Sequence, residues 1–81
     1  MSNPESVQAT HKVIAGLTEA QQEMCVQALN RARVMRIGIT AKTLPCVRFG
    51  SICSSLRREY DKTKNLEYLN LLGTVVKLGL S

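Results

Sequence analysis

Asn65-Leu66-Glu67-Tyr68-Leu69-Asn70-Leu71-Leu72-Gly73-Thr74-Val75-Val76-Lys77 decides whether this chain is all helical or carries a sheet. Its polar residues Glu67, Asn70, Thr74 and Lys77 fall at intervals of three, four and three, on one helical stripe. Leu66, Leu69, Leu71, Leu72, Val75, Val76 and Leu78 surround that stripe. The pattern favours a helix over residues 65–77, with Gly73 in its interior. The alternative is a β-hairpin turning at Gly73. Neither 66–72 nor 74–80 alternates with a period of two, however, and only the β-branched Thr74-Val75-Val76 speaks for extended backbone.

Working back toward the N-terminus, Ser51 is a plausible cap for a helix over residues 52–62. At 100° per residue Ile52, Cys53, Leu56 and Tyr60 share one side, while Ser54, Arg58 and Lys62 point the opposite way, flanked by Arg57 and Asp61. Gly50 breaks the chain before it. The segment from Gly38 to Gly50 admits two readings, a short helical turn around 41–44 or one starting at Pro45, because a helix running through Pro45 would lose a backbone bond. Further back, Thr18 with Gln21 three residues later fits a capping box, which starts a helix over 19–36 closed by Gly38. Met24, Cys25, Ala28, Ala32 and Met35 recur along it at helical spacing, widened by Val26 and Leu29. Gln22, Glu23, Asn30 and Arg33 take its wet side, and Arg33 and Arg36 suit the negative end of its dipole. Asn3-Pro4-Glu5 supplies a cap, a first-turn proline and a first-turn acid for a helix over 4–15 ended by Gly16.

The 81 residues leave room for a single domain over 1–81, which buries roughly 60–65% of its unfolded surface. Hydrophobic residues make up 44% of the chain. With one Phe, two Tyr and no Trp, the core they build must be aliphatic. The expected architecture is therefore all-α, a small compact bundle of four to five helices.

Charge is distributed unevenly. Through residue 33, Lys12, Arg31 and Arg33 are matched by Glu5, Glu19 and Glu23. Beyond it Arg36, Lys42, Arg48, Arg57, Arg58, Lys62, Lys64 and Lys77 face only Glu59, Asp61 and Glu67, so the net charge of +5 belongs to the second part of the chain. A positive field of this kind attracts phosphates, anionic lipid or an acidic protein surface.

Several classes of function are disfavoured. No apolar run approaches the about 20 residues needed to span a bilayer, and the polar start lacks the pattern of a secretory signal, so a soluble, cytoplasmic protein is expected. Membrane-surface binding is disfavoured because basic and apolar residues are not segregated into one charged amphipathic helix. Cys25, Cys46 and Cys53 cannot all pair within one chain, and reduced thiols follow. With His11 alone and no Cys-x-x-Cys, no metal site is expected. The scattered carboxylates and the glycines at 16, 38, 50, 73 and 79 form no acid/base, nucleophile or phosphate-cradling motif, so the reading is of a binding protein without cofactor and not of an enzyme.

A helix over 19–36, a Gly38-Ile39-Thr40-Ala41 turn into a short element reaching Leu44, and Gly50-Ser51-Ile52-Cys53-Ser54-Ser55-Leu56-Arg57-Arg58 opening a further helix resemble the core of helix-turn-helix DNA-binding domains. The resemblance covers about half the chain. Were residues 66–78 strands, the tail would resemble the wing of a winged helix. Two departures stand out: Pro45 sits where the first motif helix should continue, and Leu71-Leu72-Gly73 is apolar where a wing tip is polar and basic. The resemblance implies that Ser51, Ser54, Ser55, Arg57, Arg58 and Lys62 face the major groove of duplex DNA, with Arg36, Lys42, Arg48 and Lys64 as backbone anchors. It also implies a transcriptional regulator, dimeric because one short helix reads too few base pairs. The competing reading makes the same cations a solvated face with local pairs to Glu59 and Asp61. A second class of function is a protein-interaction module, a small adaptor or inhibitor docking through the apolar surplus of residues 66–80 on an acidic protein partner or a larger complex. In a homodimer, Leu69, Leu72 and Val76 would form the interface.

Overall fold

In the computed structural model, which describes residues 4–33 and 38–80, with side chains from residue 8 onward, the chain forms four α-helices and one 3₁₀ turn, and the described residues contain no strand. The helices are α1 (Pro4–Gly16), α2 (Glu19–Arg31), α3 (Phe49–Thr63) and α4 (Leu66–Leu80), and the 3₁₀ turn spans Leu44–Cys46. The all-α expectation holds. Residues 66–80 form one continuous helix, so the hairpin alternative has no counterpart here.

α3 lies at the centre, packed on α4 and on α2, while α1 closes the bundle against α4, the 3₁₀ turn and α3. The core between them is the aliphatic one its composition requires: Val13 and Leu17 from α1, Cys25, Val26, Ala28 and Leu29 from α2, Ile52 and Leu56 from α3, and Leu71 and Val75 from α4, with Ile39, Leu44 and Val47 from the intervening segment. Tyr68 is its one buried aromatic ring. A Cβ on Gly16 would lie 2.8 Å from a methyl of Leu78, and one on Gly79 would collide with the ring of Phe49, so a side chain at either position would have to push Leu78 or Phe49 aside where α4 meets α1 and α3.

The Thr18 capping box forms as read: the Gln21 N–H donates to Thr18 Oγ1 at 3.1 Å, and the Thr18 N–H donates to Gln21 Oε1 at 2.9 Å. The far end of α2 differs from expectation. The helix stops at Arg31 and not at residue 36, Ala32 caps it, and Arg33 takes the left-handed conformation (φ 54°) that the sequence assigned to Gly38. The cause is a long-range contact. The Asn30 amide donates to Ile39 O at 2.9 Å and accepts the Ile39 N–H at 2.6 Å, pulling the chain back across the end of the helix. Residues 34–37, and with them Met35 and Arg36, lie outside the described residues.

Both readings of the middle segment have a counterpart: the Thr43 and Leu44 N–H groups donate to Thr40 O, closing a turn over 40–44, and the 3₁₀ helix that follows starts at Leu44, one residue before the expected Pro45. Pro45 occupies the first turn of the 3₁₀ helix, where its missing N–H has no partner to lose. Thr10 of α1 fixes this region from below, its hydroxyl donating to Val47 O at 2.7 Å inside the core.

α3 starts three residues earlier than predicted. Gly50 is its second residue and does not break it, and Arg48, not Ser51, occupies the capping position without a side-chain cap bond. The Ser51 and Ile52 N–H groups both donate to Arg48 O, which sets the first turn. Lys64 (φ 57°) ends the helix, and Asn65 Oδ1 accepts the Glu67 N–H at 3.0 Å to begin α4.

Candidate nucleic-acid interface

α3 presents two chemically distinct sides. Ile52 and Leu56 point into the core with Cys53 and Tyr60 half-buried beside them, and Gly50, Ser54, Arg57, Arg58, Asp61 and Lys62 are exposed. The cations on the outer side are weakly committed. Arg57 Nε lies 3.5 Å from Asp61 on the next turn, an exposed pair of the kind worth at most about 1 kcal/mol. Arg58 and Lys62 make no ion pair among the described residues. Arg48 is exposed at the start of α3, Lys42 is exposed on the preceding loop, and Lys64 sits at the far end with its Nζ 5.6 Å from the centre of the Tyr60 ring.

The acid that most nearly balances this helix is turned away from it. Glu59, 3% exposed, accepts a hydrogen bond from Arg31 of α2 at 2.8 Å. That bond, with the Tyr68 hydroxyl nearby, raises the Arg31 pKa above its ordinary value. Glu59 thus serves as a bridge to α2, not as the local partner of Arg57 or Arg58. Its core-facing position is signalled by sequence: Ile52, Leu56 and Glu59 are spaced four and three apart, a single helical stripe.

Ser55 departs from its expected place. It was read as facing the DNA groove, but it lies on the buried side of α3, 2% exposed, and its hydroxyl has no hydrogen-bond partner. An unpartnered buried hydroxyl costs about 1–3 kcal/mol. It lines an open cavity of about 430 Å³ at the junction of α2 and α3, together with Ala32, Arg48, Gly50, Ser51, Ser54 and Arg58. The structure therefore brings Arg48, Ser51, Ser54, Ser55 and Arg58 around one hollow and leaves Arg57, Lys62 and Lys64 farther along the exposed ridge.

The proposed dimer residues sit on α4. Leu69 is 39% exposed and Leu72 and Val76 are half-buried, while Leu66 and Leu80 at the helix ends stand further into solvent.

All three thiols are free. Burial, with Cys53 adding to it, pushes the Cys25 thiol up to about 12, and burial also raises Cys53. Cys25 therefore carries a thiolate fraction of about 10⁻⁴ at pH 8 and is a core side chain with no nucleophilic role. Because its folded pKa lies above the unfolded value, Cys25 favours the fold fully below about pH 8.5, and that contribution is lost as the pH rises toward 12. Iodoacetamide at pH 8 should place one adduct rapidly, on the exposed Cys46, and three only in denaturant. Mass spectrometry showing equal labelling of Cys25 and Cys46 in the folded protein would contradict this burial.

Among the described residues, no three His, Cys, Asp or Glu side chains are grouped so as to hold a metal ion, and no helix is long and apolar enough to cross a membrane. No family model, curated protein or solved structure matches this chain.

Proposed function

We propose that this chain binds duplex DNA through the exposed side of α3 and acts as a small transcriptional regulator. The observation that carries the reading is the solvent-facing ridge of Arg57, Arg58 and Lys62, extended by Arg48 and Lys64, in which Asp61 pairs only with Arg57 and the other acid of α3, Glu59, is buried and held by Arg31. A ridge with spare positive charge on a rigid helix gains entropy by releasing counterions from a phosphate backbone. On this reading Arg58 and Ser54 would contact base edges or phosphates in the groove, while Lys62, Lys64, Lys42 and Arg48 would neutralise phosphates. The likeness to helix-turn-helix domains supports the same assignment: α3 would be the reading helix, backed by α2. The test is duplex affinity by fluorescence anisotropy across a salt series. Binding at about 50 mM salt that weakens steeply by 200 mM is expected, and no binding at 50 mM, or binding indifferent to salt, overturns the proposal.

A second reading, self-association through α4, is favoured by its exposed leucines. Leu69, Leu72, Val76 and Leu80 follow one another at intervals of three, four and four, an apolar stripe along one edge of the last helix in which Leu69 and Leu80 are exposed, Val76 is half-buried and Leu72 packs partly against the core. A twofold pairing of these stripes would also place two α3 ridges on one duplex. Sedimentation at tens of micromolar should give a dimer that Leu69→Asp converts to monomer. A wild-type chain that stays monomeric removes this reading without touching the first.

A further inference from the structure

We propose that α4 pairs with α4 of a second copy of this chain, antiparallel and crossing at Gly73, which deepens the self-association reading above and rests on it. The first observation is a residue that the fold does not need. Gly73 stands exposed in the middle of α4, and a Cβ there would meet nothing within 4 Å. Glycine weakens a helix interior relative to alanine, so the isolated chain gains nothing from it at this position. Its missing side chain has a use where a second helix comes close. The residues around Gly73 then match the face to itself. Leu66 and Leu80, 62% and 76% exposed, lie seven residues before it and seven after. A twofold axis at Gly73 therefore sets Leu66 of one copy on Leu80 of the other, and the same operation lays Leu69 beside Val76. At 100° per residue these four apolar side chains all fall within about 60° of Gly73 around the helix, and Leu72 stays at the edge.

Charge sets the direction of the pair. Glu67 in the first turn of α4 and Lys77 in the last are exposed, and neither makes an ion pair among the described residues. Both lie on the flank of Gly73 away from Leu69 and Val76. An antiparallel partner brings Glu67 of each copy alongside Lys77 of the other, offset by only about 3 Å along the axis, and opposes the two helix dipoles. A parallel partner would set Glu67 on Glu67 and Lys77 on Lys77, and an acidic protein in its place would meet Glu67 with like charge. The contact is short. The 15 residues of α4 span about 22 Å, which keeps the buried area below about 1,200 Å² and the dissociation constant on the order of 10 μM.

The test is sedimentation equilibrium of the full chain without DNA, with circular dichroism of each dilute variant to check that it folds. Gly73→Leu should weaken dimerisation at least about tenfold while raising the melting temperature of the dilute chain, because the new side chain blocks the crossing but favours the helix. General stickiness of an apolar face would do the reverse, since this variant adds a leucine to it. Lys77→Glu should weaken the dimer about fivefold, although losing one positive charge and gaining one negative lowers each copy from +5 to +3 and eases their mutual repulsion. Glu67→Lys should weaken it as well, and the two exchanges combined should restore it. A dimer that Leu69→Asp breaks but Gly73→Leu does not, one that Lys77→Glu strengthens, or a double exchange that restores nothing overturns the crossing and leaves self-association through α4 standing. A wild-type chain that stays monomeric removes both. Neither result touches the DNA reading, and anisotropy run well below the dimer's dissociation constant reads the monomer, in which Lys77 is only a distant charge.

Discussion

Leu56→Ala should lower the free energy of unfolding by about 2–5 kcal/mol, as large a loss as a fully buried leucine gives. Leu56 has no exposed surface and sits on the helix that α2 and α4 cover from either side. Shortening it removes buried methyl groups from water-free contact and leaves a void that the flanking helices cannot both close. The consequence is severe because the domain is small. At roughly 0.05–0.15 kcal/mol per residue, an 81-residue fold has only about 4–12 kcal/mol to lose. Urea unfolding followed by far-ultraviolet circular dichroism gives the measurement, with Leu69→Ala as the comparison. Leu69 is 39% exposed and should cost less than about 1 kcal/mol. A Leu56→Ala protein no less stable than Leu69→Ala would mean that α3 is not the central helix.

What the sequence disclosed and what it concealed follow from the range of the forces involved. Periodicity is local, so the polar stripe Glu67, Asn70, Thr74 and Lys77 was enough to read α4 as a helix, and the Thr18 and Gln21 pair placed the start of α2 to the residue. The end of α2 was not legible because it depends on Asn30 gripping Ile39, nine residues away, and not on the helix-stopping glycine nearby. The start of α3 was misread for a related reason. A glycine keeps its N–H and costs a helix only backbone entropy, about 0.5–1 kcal/mol, so Gly50 could enter the helix although a cap at Ser51 and a break at Gly50 are the simpler local reading. Within the site, the outward course of Ser54, Arg57, Arg58 and Lys62 was visible at 100° per residue. The same 100° spacing puts Ser55 and Glu59 on the side of Ile52 and Leu56, whereas the helix-turn-helix resemblance assigns Ser55 to the groove and residue type suggests solvent for both. Their burial makes sense only with Arg31 and the hollow beside Ala32 in place, and both belong to another helix.

Arg58→Gln combined with Lys62→Gln should reduce duplex affinity at about 50 mM salt by one to two orders of magnitude and make the slope of log affinity against log salt shallower by about 1.8, since each phosphate contact contributes about 0.9. These two cations are chosen because neither is engaged by an acid among the described residues, so their full charge is available to a polyanion. Arg57 should behave differently. Its guanidinium is shared with Asp61, so Arg57→Gln alone exposes a carboxylate to the DNA, whereas Arg57→Gln with Asp61→Asn preserves the net charge and should change affinity far less. Lys77→Gln on α4 tests whether location or mere net charge matters, because it removes one positive charge from an exposed site on a different helix. If Lys77→Gln weakens binding as much as Arg58→Gln, the attraction is a diffuse property of a basic chain and the α3 ridge has no special role. Arg58→Lys then separates the two ways an arginine can act. Retained affinity and slope with altered preference among duplex sequences would mark Arg58 as a reader of guanine edges, and unchanged preference would mark it as one more phosphate contact.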